Sequence, residues 1–166
     1  TKEMGNRFMI IGCGQIAHRH VEQVKRIGKL VGACDPDAAT LAQFTLKYNV
    51  PGFSEATALL QQCQADVAII CSPNYLHINH IKMALEQGLY VLCEKPLCIN
   101  SAELKDLETV LKTSGNKVFL VLSARFHQQI IRLRQQIISG QLGEILSFQM
   151  NACWNRTTEY YDQSTW

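Results

Sequence analysis

Three things are scarce in this sequence of 166 residues: charge of one sign, long apolar runs and closely paired cysteines. Sixteen lysines and arginines against 14 acids leave a net charge of +2, too small for the basic footprint of a nucleic-acid or membrane-surface binder. The longest apolar runs, 67–71 and 118–122, fall far short of the roughly 20 residues that span a bilayer. Residues 1–7 are polar and the apolar stretch after them is broken by glycine, so no signal peptide is visible; Met4 is a candidate natural start. None of the seven cysteines (13, 34, 63, 71, 93, 98 and 153) forms a C-x-x-C pair, which removes support for zinc or thioredoxin-like chemistry; no metal is expected. Five of them sit inside or beside apolar runs, where cysteine acts as a small hydrophobe, and a reducing cytoplasm is the expected location. Repeats and low-complexity segments are absent too. With 47% hydrophobic and 18% charged residues, the composition is that of a soluble globular chain.

What is present is an alternation of short apolar runs with helical patterns. Residues 8–11, 30–34, 66–71, 90–93 and 118–122 read as buried strands. Helices are expected over 15–27, 37–47, 55–61, 76–87 (closed by Gly88) and from a capping pair, Asn100 with Glu103, to Gly115. Continuously apolar strands separated by helices imply a parallel sheet covered on both faces, an α/β doubly wound Rossmann sheet. After Ser123 the pattern changes. A helix around 130–138, closed by Gly140 and Gly143, leads into a run where Leu146, Phe148, Met150 and Ala152 alternate with polar residues. Period-two alternation predicts a strand over 145–154 with one wet face, the beginning of a second α+β domain of mostly antiparallel sheet. Domains 1–122 and 123–166 are therefore expected, the second incomplete.

Chemistry concentrates at the strand ends. Gly12-Cys13-Gly14-Gln15-Ile16-Ala17 follows the first strand and opens the first helix. In that place Gly12 permits the tight turn, Gly14 lets backbone approach a pyrophosphate, and Ala17 lets helix and strand pack closely. Asp35 ends the second strand, 23 residues after Gly12, where a carboxylate binds ribose hydroxyls and repels a 2′-phosphate. NAD is thus expected ahead of NADP. His18 and His20 read as helix-surface residues. "CSPNYLH" (71–77) follows the best strand, and Ser72 or Asn74 serves equally well there as a helix cap. "CEKPL" (93–97) puts Glu94, Lys95 and Pro96 at the next strand end, where a lysine facing the crevice suits proton transfer.

Together "GCGQIA" (12–17), "CDPD" (34–37), "CSPNYLH" (71–77), "CEKPL" (93–97), "ARF" (124–126) and "ISGQLGEI" (138–145) resemble the Gfo/Idh/MocA oxidoreductase family. The resemblance implies a first domain that binds NAD(P) and a second that carries substrate contacts and mediates homo-oligomerisation. It implies cofactor contacts at Gly12, Gly14, Gln15, Ile16, Ala17, Asp35, Ser72, Pro73, Asn74, His77, Glu94, Lys95 and Arg125. It makes Lys95 the catalytic residue that works on a substrate hydroxyl proton. The family's further Asp-x-x-x-His element lies well downstream and has no counterpart in these 166 residues, so this stretch should bind cofactor better than it catalyses. The segment "WNRTTEYYDQSTW" (154–166) is similar to dehydrogenases of UDP-N-acetylglucosaminuronic acid, which oxidise the sugar C3 hydroxyl; Arg156, Tyr160 and Tyr161 are then substrate contacts. An aromatic loop packed on its own domain accounts for them equally well. Within the same class, an inositol, polyol or free-sugar dehydrogenase is the other reading, and from a different class, a dinucleotide-binding regulator without turnover.

Overall fold

The computed structural model describes residues 5–115 and 117–162. Met4 and the last four residues of the aromatic tail lie outside them. The chain divides into two compact units, Thr1–Val121 and Leu122–Trp166.

The first unit is a six-stranded sheet in the order β3-β2-β1-β4-β5-β6, with every neighbouring pair parallel. The strands are β1 (Asn6–Ile11), β2 (Gly28–Cys34), β3 (Gly52–Phe53), β4 (Val67–Ile70), β5 (Tyr90–Cys93) and β6 (Val118–Leu120). The helices between them are α1 (Gln15–Ile27), α2 (Ala38–Tyr48), α3 (Ala56–Gln62), α4 (His77–Glu86) and α5 (Ser101–Ser114). This is the Rossmann order, in which the chain leaves the sheet in opposite directions from β1 and β4 and opens a crevice at their carboxyl ends.

Side-chain alternation along each strand divides the core in two. Met9, Ile11, Ala68, Ile70 and Val91 pack with Leu59 of α3, Ile81 of α4 and Leu107 of α5. Phe8, Ile10, Ala33 and Ile69 face the other way, onto Val21 and Val24 of α1 and Phe44 of α2. Phe44 is only 1% exposed, so truncating it to alanine would cost about 3–5 kcal/mol through lost contacts and the cavity left behind.

Local signals hold the helices in register. The Asp37 carboxylate caps α2 by accepting from the Thr40 N–H, and the Thr40 hydroxyl together with that N–H lowers its pKa. Asn100 and Glu103 form the reciprocal pair expected at the start of α5: Asn100 Oδ1 accepts from the Glu103 N–H, and Glu103 Oε1 accepts from the Asn100 amide. Gly88 and Gly115 adopt φ of +75° just past their helices, the left-handed conformation that glycine reaches without strain. Arg7 at the start of β1 donates to both carboxylate oxygens of Asp66, just before β4, so side chains reinforce the pairing of those two strands.

One strand has no counterpart in the sequence reading, and two readings are corrected. The two-residue strand β3 is too short to show any period, and it exists because Ala33 and Cys34 offer it a ladder. β6, the last strand of the sheet, ends at Leu120, two residues short of the expected run, and Phe119 is half exposed with its ring 6.4 Å from that of Tyr90 on β5. In the second unit α6 (Gln128–Ile138) forms as expected, with Gly140 and Gly143 in the left-handed region, and α7 spans Thr158–Asp162. The predicted strand over 145–154 does not form: these residues carry no regular structure, and Leu146, Phe148 and Met150 are exposed. A strand is stabilised only by pairing, and no described strand lies beside this run.

All seven cysteines are free thiols, and Cys13, Cys34, Cys71 and Cys93 lie at or just beyond the carboxyl ends of four different strands. Burial, helped by nearby acids and thiols, pushes Cys13, Cys34 and Cys93 up to about 12 and Cys71 higher still. They are packing residues with almost no thiolate. In the native chain at mildly alkaline pH, a disulfide reagent should therefore modify the exposed Cys153 quickly and these four only after denaturant is added. Fast native-state modification of any of the four would contradict this.

Candidate functional site

Four strand ends converge on the crevice. The glycine loop follows β1, Asp35 follows β2, Ser72-Pro73-Asn74 follows β4, and Glu94-Lys95-Pro96 follows β5.

At Gly12 the backbone takes φ of +94°, and a Cβ would stand 2.6 Å from the carbonyl carbon and oxygen of Cys71. A side chain there is excluded both by its own conformation and by the neighbouring backbone. Gly14 differs, because a Cβ there meets nothing within 4 Å. It is exposed and forms the N-cap of α1, with no side-chain cap and no acid in the helix's first turn. An uncapped helix start behind an open glycine is the arrangement a pyrophosphate fits. Gln15 is exposed and Ile16 half-buried beside it, while Ala17 is fully buried against the sheet.

Asp35 is tied to that loop. Its Oδ2 accepts the Cys13 N–H at 2.8 Å and its Oδ1 accepts the Asp37 N–H at 2.9 Å. Each oxygen keeps a second lone-pair direction, so the carboxylate can shape the loop and still accept a ribose hydroxyl. The sequence pattern gave no hint of this bond, since nothing in spacing reports which way a carboxylate turns.

The β4 loop departs from the expected capping. A short 3₁₀ turn, Asn74–Leu76, precedes α4, and neither Ser72 nor Asn74 caps it through a side chain. The Ser72 hydroxyl lies 2.9 Å from His80 Nδ1 instead. Burial, with a smaller effect from His77, lowers the His80 pKa and keeps that ring neutral. Pro73 is exposed and Asn74 half-buried at the surface of the loop. His77 is 1% exposed, with Nδ1 at 2.6 Å from the Pro96 carbonyl oxygen and Nε2 at 2.9 Å from that of Ser72. Expected as a cofactor contact, it has no polar atom left to offer and instead bridges the β4 and β5 loops.

The two α1 histidines are also not simple surface residues. His18 Nδ1 lies 2.7 Å from the Tyr48 hydroxyl, and its ring packs on Phe44, joining α1 to α2; burial lowers its pKa. His20 Nε2 lies 2.8 Å from Glu94 Oε1. Glu94 is 9% exposed and its other oxygen accepts the Lys95 N–H at 3.2 Å, so this expected cofactor contact is occupied below the loop surface. Lys95 itself is exposed, and the Lys95–Pro96 peptide is cis. Arg125, Arg156, Tyr160 and Tyr161 belong to the second unit. Arg125 lies in a 3₁₀ turn, Ser123–Phe126; the Arg156 guanidinium carbon sits 5.1 Å from the Trp154 ring centre; Tyr160 and Tyr161 lie on α7.

Residues 6–122 match the model of GFO_IDH_MocA, an oxidoreductase family with an NAD-binding Rossmann fold. The chain belongs to that family. Among its relatives is D-glucoside 3-dehydrogenase of Escherichia coli, 32% identical over 143 residues that make up 84% of this chain and 41% of that protein. Inositol 2-dehydrogenase of Leifsonia xyli is also 32% identical, over 84% of this chain and 42% of its own length. The WlbA dehydrogenase of Chromobacterium violaceum, crystallised with NADH and UDP-GlcNAcA, superposes with a TM-score of 0.91 at 27% identity, covering 100% of this chain and 49% of that one. The chain thus spans less than half of the length of these relatives.

The two glycines should separate by experiment. Gly12→Ala forces a Cβ into the Cys71 backbone and should lower the melting temperature markedly. Gly14→Val should fold as the parent does, by circular dichroism and melting, yet lose NADH binding by more than about tenfold. Unchanged NADH binding by Gly14→Val would mean that the loop is only a turn.

Proposed function

We propose that this chain is the cofactor-binding part of an NAD-dependent sugar oxidoreductase, with a nucleotide sugar of the UDP-N-acetylhexosaminuronic acid type as substrate. The observation that carries the reading is Lys95, exposed at the carboxyl end of β5, two strands from the glycine loop, in a fold shared along its whole length with a dehydrogenase solved with NADH and UDP-GlcNAcA. NAD, when bound, exchanges a hydride with a sugar ring carbon. The chain's own residues do the rest. Gly14 and the start of α1 hold the pyrophosphate, with Gln15 and Ile16 lining its approach. Asp35 takes the ribose hydroxyls and disfavours a 2′-phosphate, so NAD is preferred to NADP. Pro73 and Asn74 border the crevice. The Lys95 ammonium stands at the substrate hydroxyl and manages its proton, while Arg125 belongs to the cofactor side, and Arg156, Tyr160 and Tyr161 to the sugar. The second unit belongs to a substrate and oligomerisation domain of a cytoplasmic homo-oligomer.

A second reading, a glucoside or inositol dehydrogenase, is favoured by the higher identity to those relatives. Turnover of UDP-N-acetylglucosaminuronic acid, a glucoside and inositol by the full-length protein, followed by absorbance of the reduced nicotinamide, separates the two readings. The first sugar should win.

Two outcomes are expected. NADH should bind this chain at least about tenfold more tightly than NADPH, and Asp35→Ala should weaken NADH and narrow the gap, as titration calorimetry would show. Equal binding of the two would overturn the role of Asp35. In the full-length protein, Lys95→Met should lower kcat by about 10²- to 10⁴-fold with little change in NADH affinity. Turnover at the parent rate would remove Lys95 from the chemistry.

A further inference from the structure

Lys95 is flanked on both sides by groups that face histidines, His20 partly buried and His77 fully so. Ahead of it, the Glu94 carboxylate joins two partners: Oε1 faces His20 Nε2 at 2.8 Å, and Oε2 accepts the Lys95 N–H at 3.2 Å. Both side chains of the His20–Glu94 pair are largely withdrawn from solvent, at 14% and 12% exposure. Behind it, the carbonyl oxygen of Pro96 lies 2.6 Å from His77 Nδ1. Burial alone would raise the Glu94 pKa, but the hydrogen bond and charge of His20, with smaller help from Lys95, lower it overall, so the carboxylate is ionised. An ionised, desolvated acceptor makes stronger hydrogen bonds than a solvated one.

The lysine side chain has four rotors, and among the described residues its ammonium makes no ion pair, feeling the Glu94 charge only at longer range. Where that ammonium can reach is therefore set by its backbone. We propose that His20 is a positioning residue for Lys95: from α1 it anchors Glu94, and Glu94 anchors the Lys95 amide, fixing the root of the reacting side chain. This rests on the reading of Lys95 as the proton-handling group. Because α1 starts at Gly14, the same helix that presents its amino end to the pyrophosphate also braces the lysine. No spacing rule foretells such a bond across 74 residues.

Amide hydrogen exchange of this chain, read residue by residue by NMR, tests the link without requiring turnover. His20→Phe keeps a ring of similar size and removes the donor. It should speed exchange at Lys95 by about tenfold, with Ile69 and Val91 in the sheet unchanged. His20→Gln, whose amide replaces Nε2, should restore exchange to within about threefold of the parent. Should His20→Phe fail to fold, His20→Ala makes the same comparison. An unchanged Lys95 rate, or acceleration spread equally over Ile69 and Val91, overturns the proposal. In the full-length protein the same variant should lower kcat about tenfold while leaving KM for NAD unchanged, and Gln should rescue it. A rise in KM with kcat intact also overturns it. If the full-length parent turns over none of the sugars, the functional reading fails, while the exchange result still decides whether His20 holds Lys95.

Discussion

The loops after β1 and β4 meet at Gly12, where a Cβ would stand 2.6 Å from the Cys71 carbonyl. This contact fixes the geometry of the crevice. It brings the glycine loop against the neighbouring strand end, lets the Gly12 N–H bond the Cys34 carbonyl at 2.8 Å, and leaves Gly14 standing clear at the start of α1. Asp35 then closes the loop from the β2 side through the Cys13 N–H. The glycine loop and the Asp35 carboxylate are thus held as one hydrogen-bonded unit.

On the β5 side, order is achieved by buried polar groups. Ser72, His77 and Glu94 are the buried polar residues of the described chain, and they sit in the loops after β4 and β5 and at the start of α4. Ser72 bonds His80, Glu94 bonds His20 and the Lys95 N–H, and His77 has a carbonyl oxygen within hydrogen-bond distance of each ring nitrogen, a neutral ring donating to one of the two. Satisfied polar groups in a dry environment specify one arrangement of a loop more sharply than apolar packing does, because any slip leaves a donor or acceptor unpaired. A parallel sheet gathers such groups naturally, since all its strands end at the same edge.

The sheet and most of its helices were legible in the sequence, because residues 8–11 of β1, β4 and β5 are unbroken apolar runs and the α5 cap has both its partners in one short stretch. The glycine loop, Asp35 and Lys95 could be placed at strand ends for the same reason. What escaped notice depends on contacts between distant residues. The roles of His20 and His77 rest on bonds across 74 and 19 residues, and a histidine on a helix carries no mark that distinguishes a surface residue from a brace. The alternation over 145–154 is a true period-two pattern, yet a pattern records only which face would be buried and does not supply the strand to pair with.

The central claim is that the glycine loop and Asp35 form one dinucleotide site at the carboxyl edge of β1 and β2. A crystal structure of this chain with NADH tests it most directly. The pyrophosphate should lie over Gly14 at the start of α1, with a ribose hydroxyl on the Asp35 carboxylate and the bond from the Cys13 N–H retained. Cofactor bound away from Gly14, or an Asp35 that turns from both the loop and the ribose, would contradict it.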